Sequence, residues 1–210
     1  MTLPTTDTLL LREDGPFLHV TLNRPDARNA MSLAMVNELM AVFEAMADNS
    51  AIRAVILRGS NGHFCAGGDI KDMAGARMKA ASGDADAYFQ LNRRFGEMIT
   101  LANRLPQVLV TVIEGAVLGG GFGLACISDV AIAAEDAQFG LPETGLGVIP
   151  AQIAPFVVQR IGLTQARRLA LTGARFNGSD AARLGIVHEA VPAADLDARL
   201  QATLKQIRRC

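Results

Sequence analysis

The stretch AVLGGGFGLA, Ala116 to Ala125, places glycine at 119, 120, 121 and 123 in an otherwise aliphatic run. Glycine after a strand and at the start of a helix lets a ligand reach backbone N–H groups that the first helical turn leaves unpaired. Such donors can hold an oxyanion. A second loop, Ala66-Gly67-Gly68-Asp69, has the same character. A third loop, bounded by Pro142 and Gly145, carries one carboxylate, Glu143. A lone double glycine reads as a tight turn or a close helix contact. Here two such loops recur in one chain, and a loop carboxylate accompanies them.

The familiar glycine-loop chemistries do not fit. Gly119 and Gly121 are followed by Leu124, and Gly121 and Gly123 by Cys126, so the G-x-G-x-x-G dinucleotide fingerprint is missed. There is no G-x-x-x-x-G-K-[ST], no G-x-S-x-G and no H-E-x-x-H. His19, His63 and His188 are widely separated and read as structural. No metal site is expected. Cys65, Cys126 and Cys210 are odd in number and far apart, which fits neither a zinc site nor a disulfide framework and suits a reducing compartment.

These loops need a scaffold, and composition limits it. The chain has 210 residues, half of them apolar, with 20 basic and 21 acidic side chains and a formal net charge of -1. One compact core is expected, with no electrostatic footprint for nucleic acid. The N-terminal residues show neither a secretory signal nor a transit peptide, and no apolar run is long enough to span a membrane, so the expected location is cytoplasmic.

Periodicity supplies the elements. FLHVTL, Phe17 to Leu22, reads as a strand ending at the Asn23 to Asp26 turn, and Ser32 as the N-cap of a helix with Leu33, Val36, Leu39, Met40, Phe43 and Met46 on one face. AVILR, VLVTVI and DVAIAA read as buried strands. Phe89 to Leu105 reads as a helix ended by Pro106, with a short apolar helix reaching about Cys126. AQFGLPETGLGVIP reads as extended and loop-like. Two helices follow, Gln152 to Ile161 and Thr164 to Leu171, then a small strand at Arg175-Phe176, a Ser179-capped helix, the strand GIVHEAV and a helix from Asp195 to the end. The segment Asp72 to Tyr88, rich in alanine, glycine and charge, reads as a mobile stretch that orders on ligand binding. The strand-loop-helix order implies an α/β protein with loops gathered at strand ends.

The ordered motifs resemble those of the enoyl-CoA hydratase/isomerase (crotonase) family. They are NRPDARNAMS, HFCAGGDIKDM, VIEGAVLGGGFGLACISDVAIAAEDAQFGLPETGLGVIP and LTGARFNGSDAARLGIVHEAVP, covering about Leu18 to Pro192. The resemblance implies a spiral of strand-strand-helix turns over residues 1–192, with residues 193–210 beginning a C-terminal helical region that stops where family members continue. It implies an acyl-CoA thioester substrate, with coenzyme A as part of that substrate and no other cofactor. The thioester oxygen would sit between the backbone N–H groups of Gly68 and Gly120. Ala66, Gly67, Gly68, Asp69 and Ile70 would contact coenzyme A, with Arg28 and Ala30 along the same cleft and Lys71 near the phosphates. It also implies a homotrimer or a dimer of trimers.

One departure bears on the reaction. Archetypal hydratases of this family carry two glutamates; the second maps to Glu143 and the first to Gly123. A single carboxylate suits hydration, isomerisation by proton transfer between C4 and C2, or, with its chemistry lost, a binding scaffold. Gly123 and the segment GLGVIPAQIAPFVVQRIG resemble the branch that hydrates 3-branched glutaconyl-CoA esters, methylglutaconyl-CoA or isohexenylglutaconyl-CoA, in leucine or acyclic-terpenoid breakdown. The second carboxylate of such a substrate would organise water or fill the space left by the missing glutamate. Glu143, isolated beside an apolar acyl pocket, is expected to have a raised pKa.

Overall fold

A computed structural model of the chain describes residues 3–210. Its first hairpin pairs β1 (Leu9–Asp14) with β2 (Phe17–Leu22) in antiparallel register. The strand β2 lies where alternation placed it; β1, whose apolar residues are consecutive, had no periodicity to announce it. Helix α1 (Leu33–Ala47) starts at Ser32, whose side chain accepts from the Met35 N–H at 3.2 Å.

The strands β3 (Ala54–Gly59), β4 (Val108–Ile113), β6 (Val130–Ala134) and β9 (Glu189–Val191) extend that hairpin in parallel, in the order β1-β2-β3-β4-β6-β9. A smaller sheet holds β5 (Ala116–Leu118), β7 (Gln138–Gly140) and β8 (Arg175–Phe176). After β2, β3, β4 and β6 the chain crosses from the first sheet toward the second and then enters a helix. The crossing is one residue wide at Met31, which bridges Gly68, and at Cys65, which bridges Val117. It becomes a full strand in β5 and β7, which lead to α4 (Gly120–Ile127) and α5 (Ala154–Thr172). This is the spiral of strand-strand-helix turns that the family resemblance implies.

Buried Leu18, Val20, Val55, Leu57, Val110, Val112 and Ile132 form the middle of one core with Met35, Leu39, Phe43 and Met46 of α1. Leu196, Leu200 and Leu204 of the last helix, α7 (Leu196–Ile207), belong to the same core. Two of the histidines stitch backbone: His63 Nδ1 accepts from the Ala116 N–H at 3.1 Å and His188 Nδ1 from the Ala131 N–H at 2.9 Å.

Some local expectations change. Much of Asp72 to Tyr88 lies in α2 (Ile70–Ala81), because Asp69 caps it by accepting from Lys71 and Asp72 N–H groups, at 2.8 and 3.3 Å. The next helix, α3, runs Ala87–Asn103. The cap of α6 (Gly178–Arg183) is Asn177, accepting from Asp180, rather than Ser179. Within GIVHEAV only the last three residues form the strand; His188 before them still donates its N–H to the Ala131 carbonyl at 2.9 Å, but the Ala131 N–H goes to its ring rather than to backbone. The two helices expected, Gln152 to Ile161 and Thr164 to Leu171, are borne out: within Ala154–Thr172 the non-helical Gly162, at φ 76° and ψ 159°, separates them.

Candidate active site

Two glycine loops are brought side by side by backbone pairing. The Met31 N–H donates to the Gly67 carbonyl at 2.8 Å, and the Asp69 N–H donates to the Met31 carbonyl at 3.0 Å. On the other side, the Leu118 N–H donates to the Cys65 carbonyl at 2.9 Å. This register skips the Gly68 N–H. Gly120, first residue of α4, is likewise beyond the reach of an intrahelical acceptor. Among the described residues neither N–H has a protein acceptor.

Gly119 makes the turn between them. Its φ of 50° with ψ of -111° is a conformation for which glycine alone is suited. A β-carbon there would lie 2.8 Å from Glu143 Oε1 and 3.7 Å from the Gly67 α-carbon. The carboxylate, the turn and the first glycine loop therefore share one point.

Glu143 opens a short 3-10 turn, Glu143–Leu146, after β7. Its Oε2 is buried without a hydrogen-bond partner. Burial raises its pKa above the ordinary 4.5, while its own backbone N–H and the charge of Arg175 pull the other way and only moderate the rise. A half-desolvated, under-satisfied carboxylate is suited to taking up and returning a proton.

Gly68, Gly120 and Glu143 line one cleft of about 140 Å³. Its apolar wall includes Met31, Val36, Met73, Leu91, Phe95 and Ile153. The Phe95 ring comes within 3.1 Å of where a Gly120 β-carbon would be, so α3 forms the wall facing Gly120. Sequence reasoning passed over α3 as a site element. Tyr88, Leu91, Asn92 and Phe95 do fall at helical spacing, and that was the available signal.

Of the other expected contacts, Asp69 lines the cleft, but its carboxylate is committed to its helix cap and to Arg24 at 2.8 Å. Burial would raise its pKa; the Arg24 guanidinium and the Asp72 and Lys71 N–H groups outweigh that and hold it below 3.8. Arg28 sits in the left-handed region at φ 48°, with its carbonyl accepting from Ala66 at 3.0 Å. Ala30 offers its carbonyl to Arg24 at 2.5 Å. Arg28, Ala30, Ala66 and Gly67 therefore form the strip beside the cleft, outside its lining, and Ile70 is exposed at its edge. Lys71 is exposed on the first turn of α2.

The space at Gly123 is not vacant. A β-carbon there would meet Ile153 Cγ2 at 2.4 Å and Ile99 Cδ1 at 3.0 Å. This corrects the expectation that a substrate carboxylate takes the missing glutamate's place. Ile153, from the IPA-x-I-x-P segment, takes it instead and presents a hydrocarbon surface to the cleft.

Comparisons with known proteins agree with this architecture. The family model described as enoyl-CoA hydratase/isomerase matches residues 13–209. The structure is similar to that of Pseudomonas aeruginosa AtuE, with TM-score 0.93 and 65% identity over 97% of this chain and 78% of that one. It is similar to an enoyl-CoA hydratase/isomerase from Marinobacter aquaeolei, with TM-score 0.92 and 57% identity over 97% and 78% of the two chains. A probable enoyl-CoA hydratase of Mycobacterium tuberculosis is 37% identical over 205 residues, 97% of this chain and 76% of the relative. With its spiral of strand-strand-helix turns and its paired glycine loops, the chain belongs to the enoyl-CoA hydratase/isomerase family.

Proposed function

We propose that this protein is an enoyl-CoA hydratase that adds water across the C2–C3 double bond of a 3-branched glutaconyl-CoA ester, of the methylglutaconyl or isohexenylglutaconyl kind. The observation that carries the hydratase reading is the convergence of two unpartnered N–H groups, on Gly68 and Gly120, with a buried, under-satisfied Glu143 in one cleft.

In this reading the thioester carbonyl oxygen accepts from both N–H groups. Ionised Glu143 removes a proton from water as the hydroxyl oxygen bonds to C3. The C2–C3 π electrons move toward C1, and negative charge gathers on the thioester oxygen. One well-placed donor to such an oxygen stabilises the transition state by about 3 kcal/mol. The proton held by Glu143 then passes to C2, and the thioester carbonyl re-forms. One carboxylate thus serves as base and then as acid.

The substrate class rests on Gly123 and Ile153. A second catalytic carboxylate on α4 would repel the distal carboxylate of a glutaconyl ester, and in this chain that position carries no side chain and lies under isoleucine. The apolar wall of the cleft suits a hydrocarbon branch at C3. A role in leucine or acyclic-terpenoid breakdown follows from that substrate class, and we further propose assembly as a homotrimer or a dimer of trimers. Sedimentation at micromolar concentration tests the assembly; a monomer would contradict it.

Turnover with crotonyl-CoA, 3-methylglutaconyl-CoA, isohexenylglutaconyl-CoA and a 3-enoyl-CoA, followed by mass spectrometry and NMR, tests the reaction. Water gained by a branched diacid ester, and lost in Glu143→Gln, supports the proposal. Bond migration without added water identifies the isomerase, for which a single carboxylate also suffices. No turnover of any ester identifies a binding scaffold.

A further inference from the structure

A distal carboxylate in this cleft needs a partner, and the lining has no cation to offer. Among the described residues no Lys, Arg or His lines the cleft, whose charged members are Asp69, Asp72 and Glu143. Asp69 is bound to Arg24, and Asp72 Oδ2 accepts from the Leu33 N–H at 2.7 Å. Any carboxylate entering here must be held by neutral donors.

Three neutral side chains with N–H or O–H donors line the cleft: Tyr88, Asn92 and Gln152. Gln152 packs its amide against α3 at Gly96, where a β-carbon would meet its side chain, and so lies past Phe95 toward the C-terminal end of that helix. Asn92 and Tyr88 lie on the other side of Phe95. Among the described residues neither side chain has a hydrogen-bond partner, and both are partly buried.

The spacing selects Asn92. Phe95 marks the point of α3 against the oxyanion donor Gly120. Asn92 is three residues earlier on the same face, about 4.5 Å along the helix axis, and Tyr88 is seven residues earlier, about 10 Å. In a glutaconyl thioester, C1 and the carboxylate carbon C5 are separated by four carbon–carbon bonds, about 5 Å in an extended zigzag. With the acyl chain running toward the N-terminal end of α3, a carboxylate at C5 comes level with Asn92 when C1 is at Gly120. Arg77 lies over the Tyr88 ring at 5.7 Å and adds positive potential at that end without entering the lining.

We infer that Asn92 is the specificity residue for the acyl group, its amide N–H donating to the distal carboxylate, with Tyr88 and the charge of Arg77 supporting the same end. The inference rests on the diacid substrate class proposed above. It extends that reading by naming the contact that separates diacid from monoacid esters.

The test uses two saturated ligands that cannot be hydrated, so binding is read apart from chemistry: 3-methylglutaryl-CoA and 3-methylvaleryl-CoA, which differ in the terminal carboxylate. Calorimetric affinities are measured for the wild-type protein, Asn92→Leu and Asn92→Asp, with thermal melts confirming that each variant is folded. The expected result is a wild-type preference for the diacid that falls tenfold or more in Asn92→Leu, the scale of a lost hydrogen bond to a charged group. The isosteric Asn92→Asp should fall further, because it sets like charges face to face. An equal loss for both ligands in the variants, an unchanged preference, or a wild-type preference for the monoacid would each overturn the inference. If the diacid preference depends on Asn92 but no ester is hydrated, the contact stands and the hydratase reading falls. If branched diacid esters are hydrated with selectivity indifferent to Asn92, the reverse holds.

Discussion

Glu143 Oε1 lies 2.8 Å from the point where Gly119 would carry a β-carbon. The closeness ties the acid/base group to the turn that presents the Gly120 N–H, so two parts of the proposed chemistry are held by one steric fit. Gly119→Ala should therefore fail twice. Its backbone would pay roughly 1–2 kcal/mol for a positive φ, and its methyl would push the carboxylate from its place. The expected outcome is a melting temperature lower by several degrees and kcat reduced by at least a hundredfold, read from thermal melts and steady-state kinetics.

Replacing Glu143 by Gln should lower kcat by about 10²–10⁴-fold, the range for a lost general acid/base. In the proposed reaction the ionised carboxylate acts first. Because burial raises its pKa, kcat/KM should climb with pH through a midpoint above 4.5. A pH–rate profile with that acid limb, absent from the residual activity of Glu143→Gln, is the expected result.

The same shift has a stability consequence with a definite sign. Folding raises the pKa of Glu143, so the folded state holds this proton more tightly than the unfolded state. The stability it contributes is fully present below 4.5 and is lost as pH rises through the folded value. At pH 7 Glu143→Gln should therefore melt no lower than the wild-type protein, and higher if the amide pairs with the buried site. Melts at pH 4 and pH 7 would show this difference shrinking at the lower pH.

Asp69 has the opposite sign. Its pKa is held below 3.8, so its contribution is present at neutral pH and is lost as pH falls through the lowered folded value. Asp69→Ala should cost about 2 kcal/mol at pH 7 through the lost cap and the stranded Arg24. Denaturant titrations should find the gap between wild-type and variant narrowing in acid.

Restoring a side chain at position 123 should not be tolerated while Ile153 stays. Gly123→Ala forces a methyl within 2.4 Å of Ile153 Cγ2, an overpacking expected to cost about 1–3 kcal/mol. Ile153→Ala removes the obstacle at the expense of a cavity, about 2–5 kcal/mol. In a double-mutant cycle the pair should cost less than the sum, since each change relieves the other. Additive costs would mean that the two positions do not compete for one space.

The sequence determined the parts whose signals are local. Period-two and period-3.6 patterns placed β2, α1 and β4 and the greater part of α3, and Ser32 announced its helix because a cap is a contact over three residues. The glycine loops were legible as places where a ligand could reach bare backbone, and Glu143 took its expected role from the family motif around it. The one-residue rungs at Met31 and Cys65 were not legible, having no period at all. Only the tertiary structure brought Gly68 to Gly120 and Glu143 to Gly119, since those distances are set by pairing between strands far apart in the chain. Only the tertiary structure filled the place over Gly123 with Ile153: a glycine in the sequence states that a side chain is missing, and packing decides what occupies its volume.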